Sequence, residues 1–128
     1  MDRARILVAD DDPLVRATID HVLGGEHELV LVDEVDTALE ILRHGPTYDL
    51  VLCDLAIPRL GGPALYREIV ALRPATARRF VFMQGGSTAA ERVELDRIDR
   101  PVLRKPFTLD ELRFVVDGML ELSDEARS

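Results

Sequence analysis

The chain has 128 residues, enough for one domain but not for two. Sixteen basic against twenty-four acidic residues leave a net charge of −8, which argues against a function built on direct nucleic-acid or anionic-membrane binding. A chain 47% hydrophobic and 31% charged has the balance of a folded soluble domain; its single Cys53 excludes an internal disulfide and fits a reducing compartment. No apolar run approaches the roughly 18 residues of a membrane span, so the expected location is cytoplasmic.

The elements follow in chain order. Ile6 to Ala9, Leu29 to Val32, Leu50 to Cys53 and Phe80 to Met83 are unbroken apolar runs of four, the pattern of strands covered on both faces. A fifth, weaker strand is expected at Val102 and Leu103. Between the runs the period turns helical: Val15, Ile19, Val22 and Leu23 share one face, and Leu65, Ile69 and Leu72 repeat the pattern. Asp12 before Pro13 reads as a helix cap, and Gly24 with Gly25 as that helix's end. Thr37 with Glu40, Thr88 with Glu91 and Thr108 with Glu111 have capping-box spacing. Gly45 with Pro46, and then Pro74, are expected to stop the second and third helices. The fourth helix, about residues 88 to 97, is poorly amphipathic. The last carries Leu112, Val115, Val116, Met119 and Leu120 on one side, before a polar tail over 123–128 expected to fray. This alternation predicts an α/β fold: a single-domain (βα)5 doubly wound parallel sheet, flavodoxin-like, with strand order 2-1-3-4-5 over residues 3–122.

In such sheets ligands bind at the carboxyl ends of the strands. The first run leads into Asp10, Asp11 and Asp12, the third into Asp54, the fourth into Gln84, Gly85 and Gly86, and the fifth into Arg104 and Lys105. The charge follows the same geography. Residues 1–64 hold thirteen acids against five bases, whereas residues 65–128 hold eleven of each. Neighbouring first and third strands would bring Asp10 and Asp11 beside Asp54, where three carboxylates repel unless a cation joins them. Oxygen ligands with room for water suit Mg²⁺. Lys105 is the one lysine beside fifteen arginines, a compact charge able to follow a phosphate oxygen. A carboxylate beside Mg²⁺ and lysine can accept a phosphoryl group, and Asp54, ending a buried strand, is the best nucleophile.

Other readings are blander. Asp12 is most simply a helix cap, and Cys53, facing away from Asp54, a small core residue. His21, His27 and His44 lack metal spacing and read as surface or helix-end residues. Asp20, Glu26, Glu28, Asp33, Glu34 and Asp36 read as a solvated face.

Together "ILVADDDPLVR", "DLVLCDLAIPRLGG" and "VLRKPFTLDEL" resemble the receiver domain of bacterial two-component response regulators, over residues 3 to about 122. The resemblance implies that Asp54 takes a phosphoryl group from a phosphohistidine on a partner histidine kinase or phosphotransfer protein, and slowly hydrolyses it. It further implies that Asp11, Asp54 and the backbone carbonyl of Ala56 hold Mg²⁺, that Asp10 acts through water, and that Lys105 contacts the acyl phosphate. Docking would use Leu14, Val15, Pro106 and Phe107, and homodimerisation is compatible with the resemblance. The chain departs from the family at Gln84, where a Ser or Thr is usual, and at Val102, where an aromatic is usual. Ser87 is a less suitable substitute for the hydroxyl. These departures motivate an alternative, a pseudo-receiver that binds partners without phosphate. A third reading takes Asp10 and Asp12 as the acid pair of a haloacid-dehalogenase-like phosphohydrolase, but Leu14 stands where that family wants Thr or Val.

Overall fold

The computed structural model describes residues 3–58, 61–86 and 88–127. Strands β1 (Arg5–Ala9), β2 (Glu28–Val32), β3 (Leu50–Asp54), β4 (Phe80–Gln84) and β5 (Val102–Arg104) form one parallel sheet in the order β2-β1-β3-β4-β5. Helices α1 (Pro13–Leu23), α2 (Val35–His44), α3 (Gly62–Leu72), α4 (Pro74–Ala77), α5 (Ala89–Asp96) and α6 (Leu109–Arg127) connect and cover the strands.

Successive strand residues point to opposite faces, so each apolar run feeds two cores. Leu7, Ala9, Val51, Cys53, Phe80 and Phe82 pack on one face with Val35, Ala38 and Leu42 of α2 and Leu65 and Ile69 of α3. Tyr66 meets Phe80 and Phe82 edge-on, with ring centroids 5.4 and 5.8 Å away. Ile6, Val8, Leu50, Leu52, Val81 and Met83 pack on the other face with α1 and α6. Cys53 therefore lies in the first core, as its alternation with Asp54 required, and burial pushes its thiol well above the ordinary range.

Helix ends follow the local chemistry at most of the expected places. Asp12 Oδ1 accepts the Leu14 N–H at 2.9 Å, Gly24 caps the end of α1, and reciprocal capping boxes form at Thr88 with Glu91 and at Thr108 with Glu111.

Several expectations are corrected. Thr37 and Glu40 form no capping box, because α2 already starts at Val35 after Glu34, with Val35 fully buried. Leu72 is exposed, and Thr76 and Ala77 of the unexpected short helix α4 are buried instead. Pro74 thus opens a helix as well as following one. His27 is buried rather than superficial, its Nδ1 accepting the Ala4 N–H at 3.1 Å. Helix α6 runs as far as Arg127, into the polar segment after Leu122. Ser87 lies outside the described residues.

Candidate functional site

Parallel pairing sets the positions of the acids. Ala9 on β1 lies opposite Cys53 on β3, so the next residues, Asp10 and Asp54, emerge side by side at the carboxyl edge. Asp10 is fully buried and Asp54 is 5% exposed, whereas Asp11 is exposed. The three offer carboxylate oxygens that lie within 4.8 Å of one another.

Lys105 arrives from the end of β5 and joins the two buried acids. Its Nζ is 2.7 Å from Asp10 Oδ2 and 3.5 Å from Asp54 Oδ1. Asp10 Oδ1 accepts the Asp12 N–H at 2.9 Å, so both oxygens of Asp10 are engaged within the protein. Asp54 Oδ1 also accepts the Ala56 N–H at 3.3 Å. Among the described residues no donor reaches Asp54 Oδ2.

The electrostatics follow from this crowding. Burial raises the Asp54 carboxyl above its ordinary range and the Asp10 charge raises it further, against the opposing effects of Lys105 and the Ala56 N–H. Burial alone would lower the Lys105 ammonium, but its hydrogen bond to Asp10 and the Asp54 charge outweigh that, so it is held above its usual value. The protein thus presents a firmly protonated cation beside a carboxylate under electrostatic pressure.

Glycines make room for this arrangement. A Cβ on Gly85 would stand 2.9 Å from Lys105 Cβ, and one on Gly62 would stand 2.8 Å from the Asp54 carbonyl oxygen. Gly61, at φ +81°, supplies the left-handed residue that brings the chain back toward the end of β3. These glycines were in view in the sequence, but their neighbours come from distant positions. The Lys105–Pro106 peptide is cis.

A cavity of about 730 Å³ opens over Asp54, Asp11, Ala56 and Lys105, and its apolar wall is Leu14, Val15, Pro106 and Phe107. Leu14 is 72% exposed. Gln84 lines an adjoining cleft that shares Gly85 and Lys105 with that cavity, together with Gly86, Arg92 and Arg104. Val102 is half-buried on β5, two residues before Arg104, which pairs in register with Gln84. The sequence therefore assembled five residues at the carboxylate site, Asp10, Asp11, Asp54, Ala56 and Lys105, while Gln84 borders it. Asp12 is occupied as the α1 cap, which removes the basis for the acid-pair phosphohydrolase reading. Missed in the sequence was Arg16, whose Nη1 donates to the Asp10 carbonyl at 2.8 Å.

The model of the response regulator receiver domain matches residues 6–117. The chain belongs to that family. This receiver is 33% identical over 122 residues to the transcriptional regulatory protein ZraR of Escherichia coli, covering 93% of this chain and 27% of that protein. It is 32% identical over 130 residues to the sensor kinase CckA of Brucella abortus, covering 94% of this chain and 13% of that kinase. The receiver thus spans under a third of the length of either relative. The receiver domain of a Pseudomonas aeruginosa sensor histidine kinase superposes with a TM-score of 0.81 at 24% identity, covering 93% of this chain and 98% of that domain; that crystal structure holds a magnesium ion in its active site cleft. As a receiver domain the chain is a component of two-component signalling, a system shared by response regulators and the receiver parts of sensor kinases. Among the described residues no helix is long and apolar enough to cross a membrane.

Proposed function

We propose that this receiver accepts a phosphoryl group on Asp54 from a phosphohistidine of a partner histidine kinase or phosphotransfer protein. The observation that carries the reading is the single ammonium of Lys105, 2.7 Å from Asp10 and 3.5 Å from Asp54, above a cavity floored by Asp54. In the transfer a carboxylate oxygen of Asp54 forms a bond to phosphorus as the phosphorus–nitrogen bond to imidazole breaks, and the imidazole leaves with the bonding pair. With Oδ1 already held by Lys105 and Ala56, Oδ2 is the oxygen available to attack. Lys105 keeps its proton and draws the equatorial oxygens of the transferred group, the positioning and charge neutralisation on which this chemistry depends.

The donor set fits Mg²⁺: hard oxygens, one exposed and two buried carboxylates, and an open cavity for water. Asp11, Asp54 and the Ala56 carbonyl would hold it. Asp10, with both oxygens occupied, would act through water. When bound, the ion neutralises phosphoryl charge that Lys105 alone cannot balance. Hydrolysis of the acyl phosphate by water entering the same cavity would reset the protein slowly.

Incubation with Mg²⁺ and a small acyl-phosphate donor tests the assignment. Wild type should incorporate label and Asp54→Asn should not; equal incorporation refutes it. A cytoplasmic setting is part of this reading, supported by the lone, free Cys53, which suits a reducing compartment, and fractionation of cells expressing the whole protein would check it.

A further inference from the structure

We infer that Arg16 is a positioning residue for the metal and phosphoryl site, acting through the Asp10 main chain. The inference rests on the phosphoacceptor reading above. Arg16 stands in the second turn of α1, and its guanidinium reaches back six residues to donate to the Asp10 carbonyl at 2.8 Å. Among the described residues it makes no ion pair, so the carbonyl is the partner for which this long cation is partly buried.

Every polar group of Asp10 is then engaged. Its N–H donates to the Val32 carbonyl at 3.0 Å, Oδ1 accepts from Asp12, Oδ2 meets Lys105 and the carbonyl accepts from Arg16. Two hydrogen bonds and the Lys105 ion pair fix the residue itself. The fourth contact fixes the peptide plane between Asp10 and Asp11, and with it the direction in which the Asp11 side chain leaves the chain. Asp11 is the exposed member of the three-acid cluster and has no side-chain bond of its own among the described residues to hold it there. Its place within 4.8 Å of the other two acids therefore depends on that plane. Arg16 orients a ligand without touching the ion.

Loss of such outer partners typically weakens metal binding by about 10 to 100-fold. Arg16→Met removes the donor at similar length, and Arg16→Lys keeps the charge and one donor. Calorimetric titration with Mg²⁺ should give about ten-fold weaker binding for Arg16→Met, with Arg16→Lys in between. In metal-free protein the Asp12 amide should exchange faster with solvent in Arg16→Met, because the Asp10–Asp11 peptide that leads to it is no longer held. Phosphorylation by a small acyl phosphate should need more Mg²⁺ but approach the wild-type rate at saturation. Should Arg16→Met lack a cooperative melt, Arg16→Gln carries the same expectations. Mg²⁺ affinity within two-fold of wild type in the folded variant overturns the inference, as does Arg16→Lys being no better than Arg16→Met. Wild type and Asp11→Asn serve as the reference pair: equal Mg²⁺ binding by those two sinks the underlying reading instead.

Discussion

Replacing Asp54 by Asn should stabilise the metal-free protein while abolishing its chemistry. At an effective dielectric constant of about 20, Asp10 within 4.8 Å repels Asp54 by about 3.5 kcal/mol or more. Lys105 at 3.5 Å attracts it by about 4.7 kcal/mol. These contributions nearly cancel, so withdrawal of the carboxylate from water, which costs several kcal/mol per ion, decides the sign. That order agrees with burial being the largest cause of the raised Asp54 carboxyl. Asparagine keeps the shape and removes the charge, for an expected net gain of about 2 kcal/mol, part of the desolvation cost being relaxed in the native protein. At about 4 °C per kcal/mol for a domain of this size, the thermal midpoint should rise by roughly 8 °C. The pH dependence follows from the raised folded-state value. Below the unfolded carboxyl range Asp54 is protonated in both states and the variant gains nothing; the advantage grows as pH rises through the folded value, where wild type must bury a charge. Calorimetric melts in chelator and low salt, from acid to neutral pH, provide the assay. A variant melting at or below wild type at neutral pH would refute the reasoning, and so would a gain already complete in acid.

Mg²⁺ at 100 times its dissociation constant should stabilise wild type by about 2.7 kcal/mol, and Asp11→Asn should lose most of that gain at the same concentration; equal shifts in the two melts would count against Asp11 as a ligand. Gly85→Ala places a Cβ 2.9 Å from Lys105 Cβ, near the stiff end of that side chain, and should slow phosphorylation by a small donor at least ten-fold while leaving Mg²⁺ affinity within a few-fold. An unchanged rate would mean that the Lys105 position is not critical. Phe107→Asp alters the apolar wall beside the site and should slow transfer from a phosphohistidine protein more than transfer from a small acyl phosphate, as read by parallel time courses. Equal slowing would argue against docking there.

What the sequence revealed and what it concealed divide along the range of the interactions. The strands were legible because burial on both faces leaves four apolar residues in a row, and the site because a parallel sheet puts successive strand ends on one edge. Asp10, Asp11, Asp54 and Lys105 could thus be placed together from topology alone. Thr37 misled because the capping pattern is local, while the start of α2 is set by Val35 locking into a core with Ala38 and Leu42. His27 was hidden for a similar reason: its acceptor role depends on Ala4, 23 residues earlier. Leu72 keeps helical spacing with Leu65, yet it ends α3, and the chain turns at Arg73 into α4, whose Thr76 and Ala77 are buried while Leu72 stays in solvent. Gln84 is the instructive departure. Its position at the end of β4 was plain, but only the packed structure shows it lining a cleft with Arg92 and Arg104 as well as Lys105.

The most direct measurement is to locate the phosphoryl group. Wild-type protein incubated with Mg²⁺ and a small acyl-phosphate donor, then reduced with borohydride and digested, should give one modified peptide, with the modification at Asp54 and absent when Mg²⁺ is chelated. Modification at Asp10 or Asp11, or a wild-type protein left unmodified under conditions where it is folded and metal-bound, would contradict the account.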